Sequence, residues 1–225
     1  VYMSLPTYFC QIDGNSMALI LHIDTALQKA WVGLSNNGEL VAELMNEQQN
    51  DHAAFVQPAV KQVLEKAGVT MRDLNAVGVT AGPGSYTGLR VGMASAKGVC
   101  YALDIPMLTV STLEILATAA IQIFPGYNAY CPMIDARRNE VYTAAYGAGG
   151  DIIIKPHALI LSANSFDELL EEKTTIFTGN GAVKWKEIIT SSHNAFFEET
   201  NYNGAHLAYI FFKSFKNREF CNLAY

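Results

Sequence analysis

The densest chemical signal in the sequence is the run Thr80-Ala81-Gly82-Pro83-Gly84-Ser85-Tyr86-Thr87-Gly88-Leu89-Arg90-Val91-Gly92. Its glycines span a junction between a short apolar segment and a helical one. They permit left-handed backbone and close packing, and free amides at a helix N-terminus can hold an anion. The run lacks the Gly-Lys-Ser/Thr ending of a Walker loop and the Gly-x-Gly-x-x-Gly spacing of a dinucleotide site. Two readings stay open. Gly82, Gly84, Ser85 and Gly88 bind a nucleotide phosphate, or the glycines make a tight turn that lets the following helix lie against a sheet.

A second signal is a pair of aspartates, in Ile23-Asp24-Thr25 and Ile134-Asp135-Ala136, each at the end of an apolar strand-like run. Facing one cleft, Asp24 and Asp135 would hold a hydrated magnesium ion and the phosphates of a nucleotide. The alternative is that each carboxylate orders the turn after its strand, with Arg137 and Glu140 as local charge partners for Asp135. Gly179-Asn180-Gly181-Ala182, another strand-to-helix turn, offers weaker evidence of a nucleotide contact.

Other chemistries find no constellation. The five histidines, His22, His52, His157, His193 and His206, never form a His-x-x-x-His or His-Glu-x-x-His pair, so no metal site is expected. Ser85 stands in no Gly-x-Ser-x-Gly elbow and has no identifiable base. The four cysteines, Cys10, Cys100, Cys131 and Cys221, are far apart, which reads as free thiols in a reducing cytoplasm.

These residues must be positioned by elements that the pattern of apolar residues predicts. The chain has 225 residues, half of them hydrophobic and 16% charged, the composition of a globular protein rather than a disordered one. No apolar run reaches membrane-spanning length. The net charge of -6 repels phosphate backbones, so affinity for nucleic acid would have to come mainly from a partner.

From residue 17, three strand-like runs (17–24, 30–35 and 39–47) form a meander, with Asn36-Asn37-Gly38 as a hairpin turn. A helix follows over 52–66, with Asp51 at its cap, Val56, Val60 and Val63 on its apolar stripe and Gly68 at its stop; Pro58 predicts a kink or a delayed start. A strand at 76–80, a helix over 87–103 and a strand at 107–110 come next, then a helix from a capping box at Ser111-Thr112-Leu113-Glu114 to about residue 124. The order then restarts with strands at 130–135, 140–146 and 151–161, a helix at 165–172, a strand at 175–178 and helices at 181–189 and 203–220. Both halves read βββ, then α, β, α. The expected organisation is a non-core extension at 1–16, a first lobe at 17–110 and a second, reduced lobe at 111–225.

The runs Ile23-Asp24-Thr25-Ala26, Ala81 to Gly92, Val110-Ser111-Thr112-Leu113 and Ile134-Asp135-Ala136-Arg137-Arg138-Asn139-Glu140-Val141-Tyr142 together resemble the bacterial TsaB (YeaZ) family. The resemblance covers about residues 17–225 and thins after Tyr146. It implies an α/β protein of the actin-like, Hsp70-like, sugar-kinase (ASKHA) fold, made of two RNase H-like βββαβα halves. It also implies a part in making N6-threonylcarbamoyladenosine in tRNA, as a cytoplasmic, non-catalytic scaffold that binds and activates the transferase TsaD. TsaE would complete the assembly, tRNA would be met through the complex, and a homodimer would form when TsaD is absent. No cofactor is implied for the isolated chain, and ATP with magnesium is implied for the assembled complex. TsaD-like enzymes carry a His-x-x-x-His pair where this chain has Thr112 and Leu116, which cannot ligate a metal as imidazoles do.

By the same resemblance, the partner docks on the two helices of the first half. The candidate contacts are Ala54, Phe55, Pro58 and Gln62 on helix 52–66, and Arg90, Met93, Ala94 and Lys97 on helix 87–103. Phe55 lies off the valine stripe, which suits an interface anchor, although a rotated helix would pack it internally. The competing reading, from a different class, is an ATP-dependent kinase or ATPase of the same fold that uses Asp24, the Gly82–Gly88 loop and Asp135.

Overall fold

The computed structural model describes residues 18–48, 51–189 and 193–223. The expected extension at 1–16, and Cys10 within it, lie outside the described residues. β1 (Leu19–Asp24) is buried at every position but Leu19 because it runs through the middle of a sheet and is covered on both faces. It pairs antiparallel with β2 (Ala30–Asn36) and parallel with β4 (Ala76–Gly82). β2 turns into β3 (Glu39–Asn46) through Asn37 and Gly38, whose φ values of 52° and 86° suit a two-residue hairpin.

α1 (His52–Ala67) keeps Pro58 inside an unbroken helix and stops at Gly68, which adopts the left-handed conformation (φ 67°). Asp51 holds the cap position, but its side chain makes no capping bond. α2 (Tyr86–Leu103) is capped by Ser85, and α3 (Thr112–Ile123) by Ser111, which follows β5 (Met107–Ser111). Val56, Val60 and Val63 of α1 are buried against Leu21, Ile23, Val32 and Leu34, each contributing about 1.5–3 kcal/mol.

The second half repeats the plan. β6 (Ala129–Asp135) pairs antiparallel with β7 (Glu140–Gly147), and β7 with β8 (Ile152–Ile160). α4 (Asp167–Glu172) leads to β9 (Thr175–Thr178), parallel to β6, and α5 (Ala182–Ile188) leads to β10 (Ala195–Phe197). The strand order is β5-β4-β1-β2-β3 in one sheet and β10-β9-β6-β7-β8 in the other, so each half places its strands fifth, fourth, first, second and third. That shared order, with one helix on each crossover, is the RNase H-like arrangement, and two copies of it make the actin-like, sugar-kinase (ASKHA) fold. The second core is built on aromatics, with Trp185 4.7 Å from Phe166 and 4.5 Å from Phe177 between ring centres.

The chain does not divide cleanly at its midpoint. α6 (Gly204–Lys216) returns to the first sheet, where Leu207, Ile210, Phe211 and Phe215 pack on Ile20, Ala76 and Leu108. β11 (Phe220–Cys221) then adds to the free edge of β5. The helix expected over 203–220 therefore ends earlier: Arg218 turns left-handed (φ 58°) and the remaining residues pair as a strand. α3 lies between the sheets, with Ile115 in the core under α6 and Leu113, Leu116 and Ala117 against Ile134 and Tyr146.

Among the described residues no helix is long and apolar enough to cross a membrane. Burial pushes the Cys100 thiol up to about 11 and the Cys131 thiol up to about 12, so neither is a reactive thiolate at neutral pH.

Candidate functional site

Two places draw the sequence candidates together: a cleft between the sheets and the outer face of α2. The cleft, about 1090 Å³, is bounded by Ala26, Gly84 and Ser85 on the first half, Asp135 and Arg137 on the second, and Tyr202.

The glycine run holds α2 against the turn after β1. A Cβ on Gly84 would stand 2.2 Å from the Ala26 carbonyl oxygen, one on Gly88 2.1 Å from that of Thr25, and one on Gly92 2.5 Å from Thr25 Oγ1. The polar groups follow the same plan. Thr25 Oγ1 donates to the Gly88 carbonyl at 2.7 Å, the Ser85 N–H donates to the Ala26 carbonyl at 2.7 Å, and the Gly88 N–H donates to Ser85 Oγ at 3.3 Å. Two of the amides that a phosphate could use, those of Ser85 and Gly88, are thus spent within the protein.

Asp24 and Asp135 do not meet. Asp24 is fully buried and stands outside the cleft lining: its Oδ1 accepts the Ala26 N–H at 3.0 Å and its Oδ2 accepts the Tyr202 hydroxyl at 2.6 Å. Burial raises its pKa, opposed by those two hydrogen bonds. Burial, and then the Asp24 charge, push Tyr202 well above the usual tyrosine range, so its hydroxyl keeps the proton it donates. Asp135 does line the cleft, but Lys184 Nζ donates to its Oδ1 at 2.5 Å and holds its carboxyl below the usual range. The Arg137 N–H donates to the same oxygen at 2.6 Å, which is the turn-ordering role. These residues do not fit a magnesium ion held between two carboxylates: one carboxylate is covered by a tyrosine and the other is paired to a lysine. Sequence reasoning named Arg137 and Glu140 as charge partners for Asp135. It missed Lys184, 49 residues away, which takes that place, and it missed Tyr202, for which no local signal exists.

Among the described residues no three metal-ligating side chains come together. Thr112 is fully buried at the start of α3, and Leu116, one turn on, lines the cleft.

The partner candidates sort by exposure. On α1, Ala54, Pro58 and Gln62 are exposed, while Phe55 is half-buried and packs on the core shared with Val56. On α2, Arg90 and Ala94 are exposed and Met93 and Lys97 half-buried. These four, with Tyr86 and Leu89, line a shallow, almost wholly apolar depression of about 520 Å³. Tyr86, Arg90, Met93, Lys97 and Tyr101 recur at helical spacing on this side, with Tyr86 69% and Tyr101 84% exposed. Arg90 sits 4.1 Å above the Tyr86 ring. A Cβ on Gly98 would meet nothing within 4 Å, so this glycine, unlike Gly88 and Gly92, faces open space. Tyr86, Leu89 and Tyr101 were not among the sequence candidates; their spacing with Met93 was the available signal.

Known proteins resemble the chain at both levels. The family model described as TsaD, tRNA N6-adenosine threonylcarbamoyltransferase, matches residues 39–212. The Bacillus subtilis protein named tRNA threonylcarbamoyladenosine biosynthesis protein TsaB is 32% identical over 173 residues, covering 76% of this chain and 74% of that one. The Escherichia coli protein of the same name is 33% identical over 171 residues, covering 71% of each. A solved structure described as YeaZ from Pseudomonas aeruginosa shares the fold with a TM-score of 0.76 at 24% identity, covering 92% of this chain and 97% of that one.

Proposed function

The chain belongs to the TsaB family, and from that premise we propose that it is a non-catalytic subunit in the making of N6-threonylcarbamoyladenosine in tRNA. Its task is to bind a TsaD-type transferase and hold it in its working conformation, with TsaE joining the assembly and tRNA engaged mainly through the complex. The observation that carries this reading is the outer face of α2. It presents the exposed rings of Tyr86 and Tyr101, the half-buried Leu89 and Met93 and the cations Arg90 and Lys97, with small residues, Ala94 and Gly98, where another helix could come close. The same face would serve a homodimer when the transferase is absent.

The absence of an own reaction is supported by what the inherited positions have become. Thr112 and Leu116 supply no imidazole, Asp24 is sealed by Tyr202, and Asp135 is paired with Lys184. For the same reason the kinase or ATPase reading has no free carboxylate pair on which to build.

Reconstitution tests the proposal. Omitting the chain from a mixture of transferase, TsaE, threonylcarbamoyl donor and tRNA should abolish or sharply slow modification. Unchanged product formation without it, or group transfer by the chain alone, would end the scaffold reading.

A further inference from the structure

The turn that joins β6 to β7 holds two consecutive arginines in left-handed backbone, with φ 71° at Arg137 and 48° at Arg138. Residues with a Cβ adopt this region only where their surroundings force it, and such positions gather at functional sites. Here the surroundings are explicit. The Arg137 N–H is held by Asp135, and the Glu140 N–H donates to the Arg137 carbonyl at 3.1 Å. Lys184 Nζ donates to the Arg138 carbonyl at 2.6 Å, and the Leu161 N–H donates to the Asn139 carbonyl at 2.8 Å.

The backbone is pinned, yet both arginine side chains are exposed, and neither forms an ion pair among the described residues. Two carboxylates flank the turn: Asp135, which is paired with Lys184 and also feels the Arg137 charge, and Glu140. Lys186 and Tyr142 line the cleft beside Arg137, and Tyr142 is exposed. Glu198 and Glu199, from the segment between β10 and α6, also line the cleft. In a chain of net charge -6, Arg137 and Arg138 place two adjacent guanidiniums on one rigid turn.

We infer that the β6–β7 turn is an RNA contact: Arg137 and Arg138 bind phosphodiester oxygens, and Tyr142 offers a face on which an unpaired base of a loop stacks. This inference rests on the tRNA-modification reading and names the part of this chain that touches the substrate. A guanidinium stays charged and presents a planar fork of donors that matches two phosphate oxygens. Loops with splayed bases are the form of RNA that aromatic and arginine side chains recognise. The pinned turn lowers the ordering cost of such a contact.

The test measures binding of fluorescent tRNA by anisotropy across a salt series, using the full chain assembled with a TsaD-type partner. Two lost phosphate contacts at about 0.7 each should make the slope of log K against log salt shallower by about 1.4 in the Arg137→Gln, Arg138→Gln protein, an affinity loss of about 25-fold near 0.1 M salt. The double lysine variant should keep the slope and recover part of the affinity. Tyr142→Ala should weaken binding without changing the slope. Arg138→Gln alone, with an unfolding midpoint equal to wild type, should lower the slope by about 0.7, which guards against misfolding of the double variant. Unchanged affinity and slope in both glutamine variants would overturn the inference and leave the scaffold reading intact. Loss of partner association in the glutamine variants, measured without RNA, would also overturn it, because the turn would then be a protein contact. If the wild-type assembly binds no tRNA, the inference and the reading beneath it both fall.

Discussion

Tyr202 donates its hydroxyl to the Asp24 carboxylate across 2.6 Å, tying the end of the first strand to a residue 178 positions further along the chain. Tyr202 follows the second sheet in sequence and leads directly into α6, so the bond fastens this returning segment to the first sheet.

Removing that hydroxyl should be costly and dependent on pH. Tyr202→Phe leaves a buried carboxylate short of a donor, a loss of about 1–3 kcal/mol. Burial makes the folded state hold the Asp24 proton more tightly than the unfolded chain does, so stability from this group is greatest in acid and is lost as pH rises through its raised pKa. The Tyr202 bond opposes that rise, so the penalty of Tyr202→Phe should be larger at pH 7 than at pH 4. Urea unfolding of both proteins at the two values checks it. An equal penalty at both would show that Asp24 is not the group affected.

His22 should give the opposite slope. It is fully buried on β1, stacked on Phe211 at 6.1 Å, and neither ring nitrogen has a hydrogen-bond partner among the described residues, so burial lowers its pKa from 6.5 to about 3. The unfolded chain therefore binds the proton first as pH falls, and stability is lost between about pH 6.5 and 3. At pH 5 the loss is about 2 kcal/mol by linkage. The difference in unfolding free energy between pH 7 and pH 5 should shrink by about that amount in His22→Leu.

Glycines on the two sides of α2 should respond with opposite signs. Gly88→Ala drives a methyl into the Thr25 carbonyl and should cost about 1–3 kcal/mol or more, because backbone cannot step aside. Gly98→Ala meets open space and should add about 0.5–1 kcal/mol through helix propensity. Thermal midpoints of the two variants against wild type decide it.

Ala94→Arg is the clean probe of the docking face. Ala94 is exposed, so an arginine there should leave the unfolding free energy within about 0.5 kcal/mol of wild type. It should weaken association with a TsaD-type partner by about 100-fold or more, read by calorimetry. Phe55→Glu should instead lower stability itself, since Phe55 packs on the core beside Val56. If Ala94→Arg binds the partner normally, docking uses another surface.

Much of the architecture was legible because it is written in short-range pattern. The turn at Asn37-Gly38, the valine stripe of α1, Gly68 as its stop and Ser111 as the cap of α3 all act within one turn or one hairpin, where residue type alone selects the conformation. The repeated βββαβα order followed from those pieces. β10 was missed because three residues carry no measurable period, and β11 because its pairing needs the free edge of β5.

The residues that could do chemistry were also visible in the sequence, but their fate was not. That Asp24 and Asp135 end equivalent strands could be read directly. That Tyr202 seals one while Lys184 neutralises the other depends on segments 178 and 49 residues distant. In the same way, the three glycines of α2 looked alike until packing placed Gly88 and Gly92 against Thr25 and left Gly98 facing outward. Periodicity and turn chemistry depend on neighbours in the chain, so the sequence alone determined the elements and their duplication. Charge pairing and exposure depend on neighbours in space, so only the tertiary structure decided which of these side chains are occupied by the fold and which, like Arg137, remain free to meet something else.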